Sequence, residues 1–278
     1  DIDGIFLGHT HQLVEGVVNG IPVVQGNYNG RGLSKISLNF GVKNEEVTFK
    51  GTTGKVIDMT ALISQLDEDP KVKAIVDQYK KDLEPILNEK LADLKTDLPH
   101  DTDKVQVSTM GQFISKYLAD VGGTQIAIVN GGGIRRGFEK GVITMGLMYE
   151  LLPFDNTLVT MKLSGAELKK IIEHGLHPED FRPGQFYGLK VWYNKDAEKG
   201  KRITSMRLLD GTLIEDTKMY TVSTLNFLMT GGDNYDFSKA TDVVDTYIPI
   251  RDLIADKIKA EGTISYTYQE HLKTGKDT

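Results

Sequence analysis

The stretch VNGGGIRRG, residues 129–137, runs from an apolar strand pattern, QIAIV (125–129), straight into three successive glycines. Glycines there let the backbone turn with φ > 0, and let a ligand lie close against the main chain. Asn130 and Arg135 bracket the turn and Gly132 sits at its centre. Asn offers both a donor and an acceptor to the edge of a purine or pyrimidine, and Arg offers a flat donor fork that can also stack. A purely structural glycine turn explains the same residues. Two phosphate-loop readings fail on spacing. Lys140 is followed by Gly141 where a Walker loop needs Ser or Thr, and the fingerprint G-x-G-x-x-G meets Arg136 or Ile134 where it requires glycine.

Outward from this turn, helix and strand signals alternate. Residues 157–163, 188–193, 203–209 and 218–224 join 125–129 as predicted strands, and Asp210-Gly211 is predicted to close a hairpin. Thr109 with Gln112, and Ser164 with Glu167, have capping-box spacing and predict a helix after each. The fold class is therefore mixed α/β, a mixed sheet with flanking helices.

At 278 residues the chain is long enough for two units of structure. A formal net charge of −6 without a Lys/Arg block argues against nucleic acid or an anionic membrane as partner. No apolar run reaches the roughly 20 residues of a membrane span. With no cysteine, disulfides and thiolate metal sites are excluded, so a metal would be held by His, carboxylate or amide oxygen.

Residues 1–57 alternate apolar runs with Asn-Gly and Gly-Asn turns and predict short strands forming part of a sheet. Unpaired edges there would be open to pairing with another chain, and so to a dimer. From Pro70 to Leu94, apolar residues at steps of three and four predict a helix, with a kink or break near Asp82 caused by Pro85.

Two histidines in FLGHTHQ (6–12), spaced i, i+2 after an apolar run, are candidate metal ligands, since neutral imidazole suits zinc, manganese and similar ions. Exposed loop histidines are the bland alternative. Of the remaining histidines, His174 and His177 are placed to meet the C-terminal carbonyls of the helix begun at Ser164, and His100 and His271 lie in polar sequence. Trp192 reads as strand packing.

GHTHQLVEGVVNGIPVVQGNYNGRGLSKISL (8–38) resembles the last metal-ligand motif and closing strands of calcineurin-like metallophosphoesterases, in particular the 5′-nucleotidase family. NGGGIRR, then LLPFDNTLVTMKLSGAELKKIIEHGL, then STLNFLMTGGDNYDF closely resemble, in order, the C-terminal domain of that family. The resemblance implies three parts. Residues 1–66 would be the end of a catalytic domain, 67–97 a linker helix about which the domains rotate, and 98–278 a substrate-binding domain.

The resemblance further implies that His9 and His11 each ligate one of two divalent metals, zinc or manganese. The other ligands, in motifs such as D-x-H, G-D-x-x-D and G-N-H-[DE], would lie upstream. Such a chain would bind metal only weakly and would not be active alone. Phe154 and Phe227 would clamp a base from its two faces. Asn130 would read the base edge, Asp233 would accept hydrogen bonds from the ribose hydroxyls, and Arg135 and Gly132 would line the same pocket. Lys104 stands where relatives carry an arginine toward the ribose; a solvated charge is the equal alternative. The implied parent hydrolyses nucleoside 5′-monophosphates outside the cell, in the cell wall or in the periplasm. Cyclic-nucleotide phosphodiesterases and nucleotide-sugar hydrolases share the architecture, and a non-catalytic binding or assembly module is a reading of another class.

Overall fold

The computed structural model describes residues 2–102, 106–179 and 181–277. The chain divides into two compact units, residues 1–79 and 80–278, described in turn.

In the first unit, β1 (Ile5–Phe6), β3 (Ile21–Gly26) and β2 (Leu13–Val18) form a sheet with β3 in the middle. Val23 and Val24 on β3 are its buried apolar residues. Beside it, β4 (Gly32–Lys43) and β5 (Glu46–Asp58) make one antiparallel ribbon, longer than the short strands expected. Asn44 and Glu45 close it with φ of 53° and 65°, the left-handed pair that a tight hairpin demands. Gly26 and Gly32 let β3 and β4 approach closely, for a Cβ on Gly26 would lie 2.4 Å from the Gly32 carbonyl oxygen.

Helix α1 (Pro70–Leu87) follows. It is unbroken near Asp82, contrary to expectation, because Pro85 falls in the last turn, where losing one backbone bond ends the helix and does not split it. The predicted helix also overruns. Lys90–Leu94 is strand β6, with Leu91 and Leu94 buried by pairing and not by helical periodicity. Its partners are β8 (Gly141–Thr144) and, after the last helix, a short parallel strand at Thr263–Ile264. Here tertiary pairing overrides a local pattern.

The centre of the second unit is a five-stranded sheet. In spatial order it runs Gly184–Tyr187, Ile126–Asn130, Met219–Leu225, Thr157–Ser164 and Thr241–Pro249, which are β10, β7, β13, β9 and β14 in chain order. Only β7 and β13 run parallel; the other neighbours are antiparallel. Helix α2 (Thr109–Gly122) packs on it through Met110, Phe113, Ile114 and Leu118, all fully buried. Its N-cap is Ser108, whose hydroxyl accepts from the Gly111 N–H, one residue ahead of the expected Thr109. Helix α4 (Gly165–Gly175) starts on Ser164 as predicted, that hydroxyl accepting from the Glu167 N–H.

A second, three-stranded sheet sets β11 (Leu189–Tyr193) between β12 (Ile203–Leu208) and β16 (Leu272–Thr274). The Asp210-Gly211 turn forms, with Gly211 at φ 93°, but it joins no hairpin of two long strands. After a single bridge from Arg207 to Leu213 the chain leaves for β13, in the other sheet. The remaining helices are α3 (Met145–Leu151), α5 (Asn226–Met229) and α6 (Ile250–Glu261). Among the described residues no helix is long and apolar enough to cross a membrane.

Candidate functional site

Strand register brings four of the singled-out residues to one end of the central sheet. Asn130 is the last residue of β7, and β13 runs parallel beside it with Ser223 opposite Ala127. Phe227 follows β13 by two residues. Because Leu225 pairs with Leu158, the chain just ahead of β9, which carries Phe154, reaches the same end. Asn226 ties the two segments: its side-chain oxygen accepts from the Thr157 N–H at 3.1 Å and from the Phe227 N–H at 2.9 Å.

Phe154 and Phe227 are 49% and 39% exposed, too much for core aromatics. The Phe227 ring lies over Gly232, where a Cβ would come within 2.5 Å of it. Asn130, by contrast, is 6% exposed. Its Nδ2 donates to Asp233 Oδ2 at 2.9 Å, and its Oδ1 is buried with no hydrogen-bond partner. A buried acceptor left unmet costs about 1–3 kcal/mol, and each such group in a folded protein calls for a reason. Asn130 lines a cavity of about 10 Å³, the size of one water, together with Gly133, Ile134, Leu152, Phe154 and Leu225 among others.

The glycine turn works differently from the φ > 0 expectation. Residues 131–133 form a 3₁₀ turn in which none of the three has positive φ. Close approach within the chain is what requires glycine: a Cβ on Gly131 would lie 2.4 Å from the Pro183 carbonyl oxygen, and one on Gly133 would lie 2.8 Å from Asn130 Oδ1. Gly132 has open space apart from Asn130, and its carbonyl accepts from Arg135 Nη1 at 3.0 Å. Arg135 is thus exposed and folded back on the turn. His100 braces the turn from beneath, its Nε2 3.2 Å from the Gly131 carbonyl oxygen and its Nδ1 2.7 Å from Ser108 Oγ. Burial holds its pKa below the usual histidine value.

Asp233 stands at φ 50° in a short turn after Gly231 (φ 93°). Its carbonyl is held 2.8 Å from His174 Nε2, and the His174 ring stacks on Phe181 and meets Tyr235 edge-on. His174 therefore serves the Asp233 turn, in place of the helix carbonyls expected from its position. His177, at φ 50°, sits beyond α4 against Gln106 and Tyr193. His271 is buried among polar partners, with Nδ1 3.1 Å from Gln112 Nε2 and Nε2 3.1 Å from Gln269 Oε1. Lys104 lies outside the described residues.

His9 and His11 belong to the first unit. Both are exposed and both adopt left-handed backbone, with φ of 69° and 58°. Such conformations cost a non-glycine residue of order 1 kcal/mol each and recur at ligand clamps. Thr10, between them, is bonded to the buried Gln25, and His11 stacks on Tyr28 at 5.3 Å. Among the described residues no three His, Cys, Asp or Glu side chains gather as a metal site would need.

A larger concavity, about 990 Å³, lies elsewhere in the second unit and is lined by Thr102, Gln106, Ser108, His177, Tyr193 and Lys273 among others. No buried unpaired polar atom points into it among the described residues, whereas the Asn130 site has one. Volume alone does not make a recognition site; convergent polar groups do.

Comparison with known proteins identifies the family. The family described as 5′-nucleotidase, C-terminal domain, matches residues 88–240. The trifunctional nucleotide phosphoesterase protein YfkN of Bacillus subtilis is 31% identical over 282 residues, covering 94% of this chain and 19% of the relative. Human 5′-nucleotidase is 25% identical over 287 residues, covering 90% of this chain and 49% of that protein. A putative 5′-nucleotidase structure from Staphylococcus aureus superposes with a TM-score of 0.76 at 22% identity, over 99% of this chain and 56% of that one. The chain thus spans from about a fifth to about half the length of these relatives. It belongs to the 5′-nucleotidase family, as a bearer of its C-terminal domain.

Proposed function

We propose that residues 98–278 form the nucleoside-recognising part of a metal-dependent 5′-nucleotidase. The observation that carries this is the buried, unpartnered Asn130 Oδ1 beside two half-exposed phenylalanines. It is an acceptor awaiting a donor such as the exocyclic amine of a base. A base stacked between Phe154 and Phe227 gains roughly 1–3 kcal/mol with little regard to its identity. Asp233, already oriented by Asn130, accepts from ribose hydroxyls with the remainder of its carboxylate, and Arg135 lies at the margin. Binding energy from the base is then used to hold a distant phosphate in place for reaction.

Two divalent cations, when bound, would polarise that phosphate and supply hydroxide. In this chain His9 and His11 suit one imidazole ligand for each metal, but two neutral ligands are too few to hold either cation firmly. The chain by itself therefore binds nucleosides and releases no phosphate. Calorimetric titration with adenosine and AMP should show weak binding that Phe227→Ala abolishes, with no phosphate release after manganese or zinc is added. Absence of binding would sink the nucleoside reading, and turnover at enzyme rates would sink the division of labour.

Likeness to a trifunctional nucleotide phosphoesterase supports a second reading, in which the parent also takes cyclic nucleotides or nucleotide sugars. Side-by-side assays of the full-length parent on AMP, UDP-glucose and a 2′,3′-cyclic nucleotide separate the two. By family likeness the parent works outside the cell, in the cell wall or in the periplasm.

A further inference from the structure

Arg251 is 4% exposed, and its guanidinium meets three residues of one short segment, residues 149–155. From the first turn of α6 its Nη1 donates to the Leu152 carbonyl at 3.2 Å and its Nη2 to Asp155 Oδ1 at 2.8 Å. Its guanidinium lies over the Tyr149 ring at 4.0 Å. Its Nε is buried and makes no hydrogen bond among the described residues, with Asp252 Oδ1 3.4 Å away. The Ile250 N–H adds a bond to the Asn156 carbonyl at 2.9 Å. The start of α6 therefore grips the Leu152–Asn156 loop on both sides of Pro153 and Phe154.

A buried guanidinium is a poor way to gain stability, because its desolvation offsets most of the attraction to its partners. What a planar fork supplies is geometry: two donors fixed relative to each other, meeting two acceptors three residues apart, which a lysine cannot reproduce. Between those acceptors stands the half-exposed Phe154. We propose that Arg251 is a positioning residue for Phe154, acting through Leu152 and Asp155, and that nucleoside affinity depends on the pair. Only the affinity part rests on the nucleoside reading; the grip on the loop stands without it.

Asp155 is the better place to test this, since its side chain is 80% exposed and its loss removes no core packing. Hydrogen-exchange mass spectrometry on the whole chain should show Asp155→Asn and Arg251→Lys raising exchange in peptides spanning 149–157 by roughly tenfold, with the central sheet unchanged. Unchanged exchange in that segment overturns the proposal, whether or not the wild type binds nucleoside. In adenosine titrations, Asp155→Asn should weaken binding by roughly tenfold in the wild type and not at all in a Phe154→Ala background. Equal losses in both backgrounds would mean that Asp155 acts by itself and not through Phe154, which also overturns the proposal.

Discussion

Acidification should loosen the second unit through His271, and the hydrogen-bond network around that residue fixes the sign. Gln112 Oε1 accepts from the Gln269 N–H at 2.8 Å and from the Tyr266 hydroxyl at 2.8 Å, so the amide orientation of Gln112 is set by an unambiguous backbone donor. Its Nε2 must then face His271 Nδ1, at 3.1 Å, as well as the Gln269 carbonyl at 2.7 Å. His271 Nδ1 is therefore an acceptor, and Nε2 carries the proton toward Gln269 Oε1 at 3.1 Å. Protonating Nδ1 would set two donors head to head. Burial, with Lys190 adding a smaller repulsion, pushes the His271 pKa from 6.5 down to about 4.

Between those two values the unfolded chain takes up a proton that the native chain refuses, so stability falls as pH falls. The full effect is about 3 kcal/mol, present above pH 6.5 and lost once pH reaches about 4; roughly 2 kcal/mol of it is lost between pH 7.5 and 5. Trp192, the only tryptophan, lies on β11 opposite Lys273 of β16, two residues from His271. Its fluorescence in urea titrations at the two pH values reads the right part of the chain. His271→Gln removes the titrating group while leaving an acceptor for Gln112, and should shrink the pH-dependent loss by about 2 kcal/mol. His100 and His177, also held below the usual histidine range by burial, titrate with the same sign and persist in the variant, so the difference isolates His271. Equal pH slopes in the two proteins, or a His271 ring titrating near 6.5 by NMR, would refute the reasoning.

Two further substitutions probe the candidate site. Gly133→Ala places a methyl 2.8 Å from Asn130 Oδ1, and should weaken adenosine binding about tenfold in calorimetry while leaving the central sheet folded. His174→Ala frees the Asp233 carbonyl and should weaken adenosine binding about three- to tenfold, with the loss vanishing for a base that lacks the ribose.

Three strands of the central sheet and two of the three-stranded sheet were legible because each is a short apolar run bounded by turn residues. Strands β7, β9, β11, β12 and β13 lie within one or two residues of their predicted limits. Pairing was not legible. Leu91 and Leu94 continue a helical period, yet they are strand residues because β8 and the Thr263–Ile264 strand lie alongside them. The candidate site shows the same division. Phe154, Phe227 and Asp233 were singled out through family likeness and Asn130 also through the glycine turn beside it, whereas the residues that hold them in place were not. His174 reaches a partner 59 residues away and Arg251 one 96 residues away. A local window shows His174 only as a helix-end histidine.

The supporting residues also explain why the site can be built on loops. Asp233 and Asn234 both stand in left-handed backbone, at φ 50° and 58°, a conformation that Asp and Asn tolerate better than most residues but at some cost. Phe154 and Phe227 keep apolar rings in water. Neither arrangement would persist if the loops were free to relax. Asn130 holds the Asp233 carboxylate, His174 its carbonyl, Asn226 the Phe227 backbone, and Arg251 both flanks of Phe154. Each anchor except Asn226 comes from a different element of the unit, so ordering the site is accomplished on folding and not on binding. On the proposed nucleoside reading, a ligand entering it would order little of the protein, which would let modest stacking energy appear as affinity instead of being offset by loop entropy.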